Sequence, residues 1–228
     1  SMGPLNGIKV LEFSGIGPGP YCGMLLADLG ADVIRLSRVS EKGTYNKFDI
    51  HNRSKRTIVA DLKNPKAIKE IKKLIQEVDV LFEGFRPGVM EKLGLSPEEC
   101  LKLNKSLVYG RMTGWGQDGP MSRMAGHDIN YISLSGALNA IGSESSKPSI
   151  PLNLIGDYGG GGMLLAMSIL APVISSSRTG KGQVIDSAMI DGSLSLMSFF
   201  YSLQEMGIWK DKRQSNFLDG AAHFYDTY

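Results

Sequence analysis

Ile8-Lys9-Val10-Leu11-Glu12-Phe13-Ser14-Gly15-Ile16-Gly17-Pro18-Gly19-Pro20 decides the fold of this 228-residue chain. A short β-prone run passes into a turn rich in glycine and proline, after which Tyr21 to Leu29 has helical composition and stops at Gly30. Asp32 to Leu36 then reads as a second strand. The alternation returns downstream, with a strand over Thr57 to Leu62, an amphipathic helix over Pro65 to Gln76 and a strand over Asp79 to Phe82. Ser96-Pro97-Glu98-Glu99 opens another helix, with serine as cap and proline at the first helical position, and Leu107 to Met112 is a further strand. Strands alternating with helices of this length predict an α/β fold, a Rossmann-like parallel sheet with flanking helices.

Beyond the loop Gly114 to Pro120 come two helical runs, Asp128 to Leu138 and Gly159 to Ile174, then a turn at Arg178-Thr179-Gly180-Lys181-Gly182. Gln183 to Ala188 reads as a strand, Asp191 to Met206 as a helix, and Phe224 to Tyr228 as a strand just beginning. Hydrophobic residues make up 42% of the chain and charged ones 21%, which allows one large core and argues against disorder. A net charge of +2 does not by itself imply a nucleic-acid surface. Cys22 and Cys100 stand far apart without a second thiol or histidine at ligand spacing, so neither a zinc site nor a disulfide framework is expected. No run of about eighteen consecutive apolar residues is present, and no membrane span is expected.

Gly15, Gly17 and Gly19 stand where a dinucleotide fold places its phosphate turn, but the G-x-G-x-G spacing lacks the third glycine of the fingerprint. The second strand ends in Arg35, Ser37 and Arg38, not in the carboxylate that an NAD ribose requires, so the position favours phosphate. A plain strand-to-helix turn and an NADP oxidoreductase both stay open on these residues. Arg38, Arg53, Lys55, Arg56, Lys63 and Arg86 are candidates for a polyanionic ligand or a solvated face, whereas Lys66, Lys69, Lys72 and Lys73 fit the outer face of a helix.

His127, in Ala125-Gly126-His127-Asp128-Ile129-Asn130-Tyr131, and Asp157, just before Tyr158 and four glycines, form the candidate catalytic set. An imidazole and a carboxylate on opposite faces of an acidic carbon can exchange its hydrogen in either direction. Asp157 also suits a helix cap, and a helix starting at the glycines would present free N–H groups to an enolate oxygen. A purely structural histidine and a purely structural cap remain the alternatives.

Gly17-Pro18-Gly19-Pro20, Leu26 to Arg35, Gly126 to Tyr131 and Arg178 to Gln183, taken in order, resemble the α-methylacyl-CoA racemase family, within the class III (CaiB/BaiF-type) CoA-transferases. The resemblance spans Leu5 to Tyr228. It implies epimerisation of a 2-methyl-branched acyl-CoA through an enolate, with His127 and Asp157 as the two acid/bases and no metal or redox cofactor, coenzyme A being part of the substrate. It assigns Arg38, Ala60, Asp61, Leu62, Lys63 and Arg86 to the CoA nucleotide, and Gly126, Asp128, Ile129, Asn130 and Tyr131 to the pantetheine and thioester. The thioester oxygen would lie near Gly159 and Gly160. The wider group implies the alternative, a CoA-transferase forming an acyl anhydride on Asp128.

The resemblance further implies an interlocked homodimer, an intracellular location (peroxisome or mitochondrion in a eukaryote, cytoplasm in a bacterium), and no nucleic-acid partner. It divides the chain into a large CoA-binding and catalytic domain over residues 5–200 and a linker opening a small domain over 201–228. Family members run considerably longer, so a non-catalytic CoA-binding or dimerisation fragment is a third expectation.

Overall fold

In the computed structural model, which describes residues 2–15, 17–41 and 46–227, six strands form one sheet. They are β1 (Lys9–Phe13), β2 (Asp32–Arg38), β3 (Lys55–Ala60), β4 (Val80–Glu83), β5 (Val108–Thr113) and β6 (Gln183–Ala188). Every pairing is parallel, in the order β3-β2-β1-β4-β5-β6. The Rossmann-like reading holds, and the order reverses between β1 and β4, where such sheets open a crevice at the carboxyl ends of their strands.

Successive side chains of a strand point to opposite faces, so β1 feeds two cores. Leu11 and Phe13 join Ile34, Leu36, Leu81 and Tyr109 on one face, under α2 (Pro65–Ile75), α3 (Val89–Lys92) and α4 (Pro97–Leu103). Val10 joins Val33, Val80, Phe82 and Val108 on the other, under α1 (Pro18–Asp28) and α7 (Leu164–Thr179). Helix α1 begins at Pro18, three residues earlier than Tyr21, because Pro18 and Pro20 lie in its first turn, where the missing N–H costs no helical bond.

The interior also holds charge. Lys55, expected among the candidates for a polyanionic ligand, is fully buried, its Nζ 2.8 Å from Glu12 Oε1 and donating to the Pro20 carbonyl at 3.0 Å. Burial pushes the Glu12 carboxyl up to about 7 despite the Lys55 ammonium beside it. At the end of β4, Glu83 accepts from Arg111 Nε at 2.8 Å and from the Phe85 N–H at 2.8 Å, which fixes the loop that leaves the strand.

Past β5 the chain forms α5 (Asp128–Ser135) and α6 (Ala137–Ala140), then a wide π-helical run, Leu154–Met163, that continues into α7. The helix expected to start at Gly159 therefore starts at Leu154, and Asp157 lies inside it and does not cap it; Asn153 occupies that place. Glycines make the close approach possible: a Cβ on Gly192, in α8 (Met189–Leu196), would stand 1.9 Å from the Gly160 carbonyl oxygen. By length and composition Leu154–Thr179 could cross a membrane, which the sequence did not lead us to expect, but here it packs against α1, α8, β5 and β6.

After α9 (Ser198–Glu205) the chain runs in turns. Arg213 donates to the carbonyls of Ser143 (2.9 Å), Asn139 (3.1 Å) and Ser146 (2.8 Å), and Trp209 packs edge-on to Phe200, so this segment is fastened to the loop after α6. The strand expected from Phe224 is absent over 224–227, where turns and bends occur; Tyr228 lies outside the described residues, as does Ile16 of the first turn.

Candidate functional site

Two cavities open at the crevice between β1 and β4, of about 810 and 730 Å³. They share Pro18, Gly84, Phe85 and Met189 as a common wall. His127, Asp128, Tyr131, Asp157, Trp115 and Arg86 line the larger; Arg35, Arg38, Ser14, Ser37 and Glu41 line the other.

In the larger cavity, local bonds set the backbone at the start of α5. The His127 N–H donates to Asn130 Oδ1 at 2.8 Å while the Asn130 N–H donates to the His127 carbonyl at 2.9 Å. Asp128, the first residue of the helix, is buried, and its Oδ2 accepts from the Asp157 N–H at 2.8 Å. That bond holds the π-helical run against α5. A Cβ on Gly156 would meet the same oxygen at 2.7 Å, so glycine is needed there. Asp128 Oδ1 is buried without a hydrogen-bond partner among the described residues.

The Asp157 carboxylate accepts from Asn153 Nδ2 at 3.2 Å. Burial raises its pKa above the usual aspartate value, and the Asp128 charge raises it further, against the opposing Asn153 bond and His127. The glycine-rich turn comes close from the other side: a Cβ on Gly17, whose φ of 76° suits glycine, would lie 3.8 Å from Asp157 Oδ2. Tyr131 stacks edge-on to Trp115 at 4.8 Å, and burial, then the charges of Asp157 and Asp128, push its phenol up to about 12. Gly126 leaves room for that phenol, since a Cβ there would fall 2.7 Å from Tyr131 Oη.

The sequence-predicted residues divide between the cavities and the outside. His127, Asp157, Gly126, Asp128, Ile129, Tyr131 and Arg86 all border the larger cavity, and Asn130 acts through the His127 backbone. Gly159 and Gly160 do not border it, and their N–H groups belong to the ladder of the π-helix, which bonds each residue to the fifth before it. The expectation that they present free N–H groups is therefore corrected. Arg38 lies in the second cavity, opposite Ala60 in the β2–β3 register. Beyond Ala60, Asp61 Oδ1 accepts from the Lys63 N–H at 3.0 Å, and Leu62 turns into the core. Lys63 borders a separate surface groove with Lys69, Lys72 and Lys92. Arg53 pairs with Asp28 at 2.5 Å and Arg56 with Asp32 at 2.7 Å, which leaves them as surface ion pairs.

Sequence reasoning missed Trp115, Phe85, Ser14 and Glu41. The first two sit in glycine-flanked turns directly after β5 and β4, the position at which parallel sheets build sites, and that signal was available. Among the described residues no group of three or more His, Cys, Asp or Glu side chains is placed to hold a metal ion.

The family model described as CoA-transferase family III matches residues 5–228. The chain is 46% identical over 224 residues to the α-methylacyl-CoA racemase of Mus musculus, covering 98% of the chain and 58% of that relative. It is 32% identical to the mouse succinyl-CoA:glutarate CoA-transferase, over 87% of the chain and 48% of the relative. A crystal structure of a CAIB/BAIF family protein from Brucella suis superposes with a TM-score of 0.81 at 30% identity, covering 90% of this chain and 58% of that one. The chain thus spans between about 48% and 58% of the length of these proteins.

Proposed function

Because the chain belongs to CoA-transferase family III, we propose that the whole protein epimerises 2-methyl-branched acyl-CoA thioesters, with His127 and Asp157 as its two acid/bases. The observation that carries this reading is that both side chains border one cavity at the reversal of strand order. A proton next to a thioester is only weakly acidic, so a positioned base and stabilised enolate must act together. Burial supports the base: a carboxyl whose pKa is raised is better matched to a reluctant proton than a solvated one. One group removes the hydrogen from one face while the other, protonated, returns it on the opposite face, and the roles exchange for the second epimer. The Asp128 and Ile129 N–H groups, ahead of the Asn130 N–H that bonds the His127 carbonyl, supply the enolate site, because the first N–H groups of a helix lack helical acceptors and carry the positive end of its dipole.

Arg86, at the larger cavity, and Arg38, at the second, hold the phosphates of CoA. Gly126, Asp128, Ile129 and Tyr131 border the thioester end, while Ala60, opposite Arg38 in the strand register, is the member of the Ala60 to Lys63 segment that adjoins the nucleotide. CoA belongs to the substrate and the chemistry needs no metal or redox cofactor. An interlocked homodimer accounts for the exposed apolar side chains Met163, Met167, Ile174, Leu196 and Phe199. Peroxisome or mitochondrion in a eukaryote, or cytoplasm in a bacterium, is the matching location.

The test is to incubate the whole protein with one epimer of a 2-methylacyl-CoA in deuterated water and follow the α-hydrogen by NMR. Exchange is expected, and its loss in a His127→Ala/Asp157→Ala double variant. No exchange, or exchange undiminished in that variant, rejects the reading. Acyl transfer on Asp128 is the second reading, favoured by its unpartnered Oδ1 and by the transferase relative. It predicts a hydroxylamine-trapped adduct at Asp128 by mass spectrometry.

A further inference from the structure

The groups that the ends of β1 and β2 offer to a phosphate all converge on one carboxylate of the protein itself. Glu41 Oε2 accepts from Ser37 Oγ at 2.8 Å and from Ser14 Oγ, while Arg38 Nε and Nη2 donate to Oε1 at 3.3 and 3.2 Å. Arg35 adds its charge, with Nη2 3.9 Å from Oε2. The Arg38 guanidinium also rests over the Phe85 ring, 5.3 Å from its centroid, which holds it toward the shared wall of the two cavities. Two hydroxyls and two guanidinium groups around a pair of oxygens make a donor set suited to a phosphate, and all of them border the 730 Å³ cavity.

We propose that Glu41 is an internal competitor for this anion cradle, and that an acyl-CoA phosphate enters it only by displacing the Glu41 carboxylate. Glu41 follows Arg38 by three residues at the end of a single 3₁₀ turn, Val39–Glu41, so its side chain can leave the cradle without moving the sheet. With only 21% of its side chain exposed, it nonetheless borders an open cavity from which a ligand can approach. The device selects as well as inhibits. A thioester lacking phosphate gains nothing from evicting Glu41, whereas a CoA ester exchanges one anion for a more highly charged one. This inference rests on the reading that acyl-CoA is the ligand and names a residue that tunes its affinity. A ligand whose binding-competent state is only fractionally populated binds more weakly by that fraction, so a cradle filled by Glu41 in nine molecules of ten weakens binding about tenfold.

The experiment is calorimetric titration of the whole protein with CoA and with pantetheine, for the wild type, Glu41→Gln, Glu41→Ala and Arg38→Ala. Glu41→Gln keeps the shape and a hydrogen-bond acceptor, so its fold is secured by comparison of melting temperatures with the wild type. The expected result is CoA affinity raised about tenfold in both Glu41 variants, pantetheine affinity unchanged, and CoA affinity lowered in Arg38→Ala. Unchanged or weaker CoA binding by a folded Glu41→Gln protein overturns the inference and leaves the acyl-CoA reading standing. Absence of CoA binding in every form overturns both.

Discussion

Replacing Gly192 by alanine tests how the π-helical run positions the site. A Cβ at that place would lie 1.9 Å from the Gly160 carbonyl oxygen and 2.5 Å from its carbon, whereas real contacts of this kind do not fall under 3.0 Å. Backbone lies on the far side of the clash, so no side chain can rotate to relieve it, and α8 must part from the run by about 1 Å. Overpacking of this kind costs about 1–3 kcal/mol, and each kcal/mol lowers the melting temperature of a chain this long by about 2–4 °C. The consequence for activity is larger. Asp157 precedes Gly160 by less than one turn and is tied to α5 through its N–H bond to Asp128, so displacement of the run changes its distance to His127. A misplacement of about 1 Å at a reacting group costs on the order of 100-fold in rate. Thermal denaturation followed by circular dichroism and α-hydrogen exchange by NMR are the two assays. A Gly192→Ala protein with both melting temperature and exchange rate of the wild type would refute the argument that this contact sets the position of Asp157.

Lys55→Met leaves Glu12 buried without its ammonium, a loss of about 3–5 kcal/mol, limited by protonation of the carboxyl. Because Glu12 is raised to about 7 in the fold, it holds its proton more tightly than the unfolded chain does, so it contributes stability below 4.5 that is lost as pH rises toward 7. In the variant, with the Lys55 charge gone, that decline extends to higher pH, which urea denaturation across this range will measure. Asp128→Asn keeps an oxygen for the Asp157 N–H but removes a negative charge, so the raised pKa of Asp157 falls. A base works ionised, and the rate is lost as pH drops through its pKa; the acidic limb of the exchange profile therefore moves to lower pH, and an unmoved limb contradicts the assignment of Asp157 as base.

The sheet was legible because β1, β2, β4 and β5 carry short clusters of Val, Leu, Ile, Phe and Tyr bounded by turn residues, the pattern that burial on both faces favours. That His127 and Asp157 border one cavity was foreshadowed by their glycine neighbours, which the structure explains by the space Gly126 leaves for Tyr131 and Gly156 for Asp128. The π-helix was not, since four glycines read as a helix start when only local propensity is considered, while the structure packs Gly160 on Gly192, Gly161 on Pro18 and Gly162 on Tyr21. Lys55 and Glu41 escaped for a related reason. A lysine and a glutamate carry no local mark of their long-range partners, Glu12 in one case and Ser14 in the other. The terminal aromatics of 224–227 carry strand propensity, but no described strand pairs with them, and propensity without pairing does not make a strand.

Phe85, as the shared partition of the two cavities, restricts the shape of anything that occupies both. A flat or rigid molecule cannot round that corner, whereas a slender chain of single bonds can bend over the ring and place its two ends in different compartments. Ordering such a tether costs conformational entropy, which its anchored ends must offset. A molecule that reaches only one compartment therefore gives up the gain of the second anchor, and the phenyl ring acts as a gauge of molecular length and pliancy.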